Sequence, residues 1–109
     1  MTRPRFDAVV HAPNRLQICA MLAAVDSAEF SAVRDGLAVS DSVLSKHVRV
    51  LEDAGYVQVK KATVTSRQRT WLSLTRAGRQ ALQAHVAELQ RLLSATTSEQ
   101  PGTAPAGKR

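Results

Sequence analysis

Ser42, Ser45, Lys46 and Arg49 are spaced so that one side of an α-helix would carry them all. Two hydroxyls, an amine and a guanidinium on one strip can donate to guanine O6 and N7 or to phosphate oxygens. Val43, on the flank of that strip, adds a small apolar group suited to a thymine methyl. No carboxylate falls between Ser42 and Arg49; Glu52 and Asp53 come only in the last turn, and Asp41 stands at the start, where a helix favours negative charge. Leu44, Val48 and Leu51 project to nearly the opposite side and can dock on a core. A helix of about 14 residues is ~21 Å long, enough to lie in a major groove.

A second group follows at once. Residues 56–79 hold Lys60, Lys61, Arg67, Arg69, Arg76 and Arg79 and no acid, so this stretch accounts for the whole formal charge of +6. Charge gathered in this way self-repels unless an anion lies nearby, and a polyphosphate backbone is such an anion. Lys60, Lys61, Arg67 and Arg69 are the candidates for phosphate or minor-groove contact; an arginine gains most where a narrow minor groove concentrates negative potential.

Other chemistries find little support. No Ser/His/Asp or Cys/His arrangement and no phosphate-binding glycine loop is present, so no enzyme is expected. His11, His47 and His85 share no ligand spacing, and Cys19 has no partner for a disulfide or a CxxC pair, so neither metal nor cofactor is expected. Cys19 falls on an apolar helix face and reads as a core filler. No apolar run approaches the roughly 18 residues of a membrane span, and the opening residues lack a signal-peptide stretch, so the expected location is cytoplasmic, with no membrane partner. RNA binding would need aromatic platforms, and aromatics are 4% of the chain.

One domain and one aliphatic core are what 109 residues at 44% hydrophobic content allow. The elements that must hold the two groups read as follows. After a short apolar turn comes a helix with Pro13 at its first position. Leu16, Cys19, Ala20 and Ala23 form its stripe, widened by Ile18, Leu22 and Val25. Phe30 fits a strand of one or two residues, and Ser31 can cap a short helix over Ala32, Val33 and Leu37. Ser40 or Asp41 caps the helix carrying the polar strip, and Gly55 ends it in the left-handed conformation. The runs around Val57/Val59 and Leu72/Leu74 alternate as strands of a hairpin. Their connector, roughly Ala62 to Gln68, has no Gly or Asn and predicts a protruding mobile loop. Trp71 falls on the strand face opposite Leu72 and Leu74. Thr75 caps a last helix to about Ser94, whose Leu82, Val86, Leu89 and Leu93 form a seam. The expected division is a domain over 1–94 and a disordered tail over 95–109.

This order, mainly α with a small β-hairpin wing, is that of a winged helix-turn-helix. With "LAVSDSVLSKHVRVLEDAGYV" and "RQRTWLSLTRAGR" in place, the chain resembles the small bacterial winged-helix regulators of the MarR and ArsR type over roughly Phe6 to Leu93. The metal-binding signature of many ArsR relatives is absent. Ala38 stands where those relatives often have Gly, which predicts a gentler turn before the polar helix. The resemblance implies a homodimer built with an extra C-terminal dimerisation helix, and the expected function is repression from double-stranded operator DNA; whether a small-molecule effector, a protein effector or none switches it is left open by the sequence. Phe6, Val9, Val10, Leu82, Val86, Leu89 and Leu93 offer more apolar surface than a small core needs and are the expected dimer interface. The same element order also fits a winged-helix protein-interaction module without specific DNA readout; the acid-free strip favours DNA.

Overall fold

The computed structural model describes residues 3–99. The elements run α1 (Ala8–His11), α2 (Arg15–Ala23), β1 (Ala28–Glu29), α3 (Phe30–Leu37), α4 (Asp41–Asp53), β2 (Val57–Val64), β3 (Arg67–Leu74) and α5 (Arg76–Glu99). The three strands form an antiparallel sheet in the order β1-β3-β2. This is the expected mainly helical winged helix with its hairpin and C-terminal helix.

Local chemistry explains most of the boundaries. Asp7 starts α1: its Oδ1 accepts from the amides of Val9 and Val10 at 2.9 and 3.1 Å. Pro13 is not the first residue of α2. It lies in a turn with Asn14, whose φ of 71° suits asparagine, and the helix begins at Arg15. Ile18, Cys19 and Leu22 are its buried residues and Leu16 and Ala23 pack beside them, while Ala20 of the expected stripe is exposed. Ala28 and Glu29, rather than Phe30, supply the short strand; Phe30 opens α3, with Glu29 and not Ser31 in the cap position.

α3 and α4 end by the same device. Gly55 N–H donates to Glu52 O and Tyr56 N–H to Leu51 O, both at 2.9 Å, with Gly55 at φ 81°. Ala38 and Val39 repeat those two bonds onto Asp35 and Arg34, and Ala38 takes φ 57°. The turn is therefore as sharp as a glycine would make it, and Ala38 adopts the left-handed conformation at a cost of roughly 1 kcal/mol.

The hairpin also departs from expectation. Both strands run eight residues, and only Thr65 and Ser66 link them, at φ 51° and 63°. Two residues of positive φ make the turn whose twist matches a hairpin, although the usual Asn-Gly is missing. There is no long loop.

Leu44, Val48, Leu51, Val57, Leu72 and Leu74 pack with Ile18, Cys19, Leu22 and Val33 into one core. Burial, reinforced by the Asp7 charge, pushes the Cys19 thiol up to about 11, as for an unreactive core group. α5 continues beyond Ser94 to Glu99; residues 100–109 of the expected tail lie outside the described residues. No helix among the described residues is long and apolar enough to cross a membrane.

Candidate nucleic-acid interface

α4 is placed by its buried side and capped by Ser40, whose Oγ accepts from Val43 N–H at 3.2 Å. With Leu44, Val48 and Leu51 turned inward, Ser42, Val43, Ser45, Lys46 and Arg49 are all exposed on the outer side. Asp41, at the start of this surface, shares one guanidinium with Asp35: Arg34 Nη1 reaches its Oδ1 at 2.8 Å while Arg34 Nε holds Asp35 at 3.0 Å.

Register settles where the wing cations point, because directly paired residues in an antiparallel ladder share a face. One face carries Val57–Leu74, Val59–Leu72, Lys61–Thr70 and Thr63–Gln68. Its inner pairs are core, and its outer pairs continue the row past α4. A cleft of about 470 Å3 opens there, lined by Asp41, Ser45, Arg49 and Glu52 of α4 and by Val59, Lys61 and Thr70 of the hairpin, so two carboxylates share it with the two cations. The polar side of α4 and the wing therefore look into one space.

The other face carries Lys60–Trp71, Ala62–Arg69 and Val64–Arg67. Lys60, Arg67 and Arg69 consequently lie across the hairpin from Lys61, and Trp71 is half-buried beside Lys60. Arg69 Nη1 pairs with Glu29 Oε2 at 3.2 Å, so that cation is engaged with β1. Arg67 flanks the Thr65–Ser66 tip and is exposed. Of the four wing cations, Lys61 joins the α4 surface, Arg67 and Lys60 project from the outer hairpin, and Arg69 bridges to β1. Thr63 and Gln68 share the Lys61 face and were missed; only the ladder register reveals them.

The two remaining cations of the basic stretch divide as well. Arg76 is exposed. Arg79 Nη1 and Nη2 donate to the carbonyls of Ala23 and Val25 at 3.1 and 3.2 Å, closing the C-terminal end of α2. Thr75 caps α5 as expected: its Oγ1 accepts from Gly78 N–H at 3.0 Å and donates to Gly55 O at 2.6 Å.

The expected dimer residues also separate. Val10 is fully buried and Leu82 nearly so within the chain's own core, leaving no surface for a second copy. α1 turns Val10 inward against α2, and the first turns of α5 pack on the domain. Phe6, Val86 and Leu93 are exposed, as is Leu92, while Val9 and Leu89 are half-buried. Where α5 leaves the domain its apolar side is uncovered.

Histidines 11 and 85, distant in sequence, meet here: His11 Nδ1 and His85 Nε2 are 3.0 Å apart. His85 is completely covered, and its Nδ1 accepts from the Asp7 amide at 3.0 Å. Asp7 Oδ2 accepts from the Tyr56 hydroxyl at 2.6 Å. No group of three or more metal-capable side chains forms among the described residues.

Comparison with known proteins agrees with this geometry. Residues 14–93 match the family model described as a winged helix DNA-binding domain. An uncharacterized protein of Methanocaldococcus jannaschii is 31% identical over 78 residues, spanning 72% of this chain and 85% of its own. The transcriptional regulator homologue of Pyrococcus horikoshii superposes with a TM-score of 0.76 at 27% identity, over 81% of this chain and 87% of its own. ZitR of Lactococcus lactis, a zinc-responsive MarR family member, shares the fold at a TM-score of 0.60 and 22% identity, over 84% of this chain and 62% of its own. The chain belongs to the winged helix DNA-binding domain family; it binds DNA and is not an enzyme.

Proposed function

We propose that this protein is a homodimeric transcriptional repressor acting in the cytoplasm on a pseudo-palindromic operator. Each protomer sets Ser42, Val43, Ser45, Lys46 and Arg49 into a major groove. Its wing grips the flanking backbone through Lys60, Lys61 and Arg67, with Arg69 joining once released from Glu29. The observation that carries this reading is the shared cleft of Ser45, Arg49 and Lys61: a duplex laid across its mouth meets the helix and the wing together. Two-fold symmetry places half-sites about one helical turn apart.

The dimer reading rests on exposed apolar side chains: Val86 and Leu93, which share one side of α5, with Leu92 further round the helix and Phe6 on the segment before α1. An effector could act at the cleft of about 460 Å3 lined by Arg5, Phe6, Tyr56 and Gln80, which adjoins both that surface and the base of the wing.

Selection from a random-sequence duplex pool tests the DNA reading, and analytical ultracentrifugation tests the dimer. The expected results are an enriched inverted repeat, and a dimer that Leu93→Glu converts to monomer. Enrichment of nothing, with equal affinity for all duplexes, would favour the protein-interaction module. A wild-type chain that sediments as a monomer at micromolar concentration would remove the symmetry argument.

A further inference from the structure

A shallow depression of about 230 Å3 on the outer surface of α4 is lined by Ser42, Val43, Lys46 and His47. His47 therefore shares a surface with three of the groove residues, although helical projection sets it between the polar and apolar sides. The ring is half-buried, and one nitrogen is already engaged: Arg15 Nη1 lies 3.4 Å from Nδ1. A guanidinium only donates, so Nδ1 accepts. A neutral imidazole that accepts at Nδ1 carries its proton on Nε2. Arg15 is itself anchored, its Nε donating to Val9 O at 2.6 Å. Burial, and then the charges of Arg15 and Lys46, hold the His47 pKa below the ordinary histidine value, so the ring stays neutral near pH 7.

We infer that His47 reads a base: its Nε2–H, fixed in place by Arg15, requires an acceptor on the base edge it meets and excludes cytosine there. In the major groove guanine, adenine and thymine each present an acceptor, whereas cytosine presents the N4 amino donor. Two donors facing each other repel, so one position in each half-site should disfavour cytosine on the strand that is read. This rests on the DNA reading above and extends it to a residue on the flank of α4, with Arg15 as the positioning residue behind it.

Duplexes enriched by the wild-type full chain from a random pool supply the probe, together with single-base variants of the enriched site. His47→Ala should lose the discrimination against cytosine at one position per half-site, by roughly fivefold or more, with affinity for random duplex unchanged. His47→Gln keeps an N–H near the Nε2 position and should retain the discrimination. In wild-type protein, 15N shifts of the histidine rings should show His47 protonated at Nε2 alone. Arg15→Met should give a mixture of tautomers and weaken the cytosine exclusion. If His47→Ala keeps full discrimination at every position, or lowers affinity for enriched and random duplexes by the same factor, His47 reads no base, and the DNA reading survives without it. A wild-type His47 protonated at Nδ1 would also overturn the inference. A pool that yields no enriched sequence would end both.

Discussion

His85 Nε2 meets His11 Nδ1 at 3.0 Å, beside the ring of Phe6, whose centroid is 4.8 Å from His11 and 4.9 Å from His85. Because His85 Nδ1 accepts from the Asp7 amide, its one proton sits on Nε2 and is donated to His11. Charging His85 puts a proton on Nδ1 and brings it face to face with the Asp7 amide, two donors opposed. Burial, and then His11, hold the His85 pKa below the ordinary histidine value, and the opposing pull of Asp7 and Glu88 does not reverse this. A histidine with a depressed folded-state pKa stabilises the fold above its unfolded value near 6.5 and loses that contribution as pH falls through it. Urea midpoints should therefore drop between about pH 7 and pH 5, with a slope of at most about 1.4 kcal/mol per pH unit from this proton. His85→Asn, whose side-chain oxygen can still accept from Asp7, should flatten that dependence while lowering stability at pH 7.5 by about 1–3 kcal/mol. An unchanged pH profile in the variant would clear His85 of the role.

The wing tip holds two residues against their backbone preference. Thr65 is β-branched and Ser66 has no special tolerance of positive φ, yet both adopt it. Replacing the pair by Asn-Gly should raise stability by about 1 kcal/mol, read as an increase in the urea midpoint. A decrease would mean that the hairpin closes in some other way.

Gly78 allows the first turn of α5 to lie against Tyr56, in the link between α4 and β2. A Cβ at this position would overlap the Tyr56 carbonyl oxygen and the Leu74 side chain, and the carbonyl belongs to backbone that already accepts from Thr75 N–H at 2.9 Å. Gly78→Ala should cost about 1–3 kcal/mol despite the better helix propensity of alanine. A gain in melting temperature would show that the two segments separate easily.

Basic residues of the same stretch should separate by assay. Arg67→Ala should lower the salt slope of DNA binding by about 1 without changing stability, and Arg49→Ala should reduce specific binding by ~1–3 kcal/mol while leaving random duplex little affected. Arg79→Ala should do the reverse. Its loss frees the carbonyls of Ala23 and Val25, lowering stability by about 1 kcal/mol with an unaltered salt slope.

α4 was legible because its signals are local. A period of 3.6 sorted Leu44, Val48 and Leu51 from Ser45, Lys46 and Arg49, and Ser40, Gly55 and Thr75 act on bonds a few residues away. What the sequence hid depends on distant partners. Nothing near Arg79 marks the end of α2 as its target, and 74 residues separate His11 from His85. Val10 and Leu82 looked like interface because apolar pattern alone does not say which neighbour covers a side chain. The hairpin turn was misread for another reason: composition predicts where positive φ is cheap, whereas strand pairing out to Val64 and Arg67 imposed it on Thr65 and Ser66.

β3 is the central strand, so β2 turns one row of backbone amides and carbonyls outward with no neighbour in the sheet. A ribbon eight residues long with such a rim is a template on which other chains can add. Lys60 and Lys61 sit midway along that rim, where like charge keeps two molecules from zipping together. Neutralising both should therefore raise the tendency of the protein to aggregate, whatever it does to DNA affinity, and light scattering of the double variant would read it.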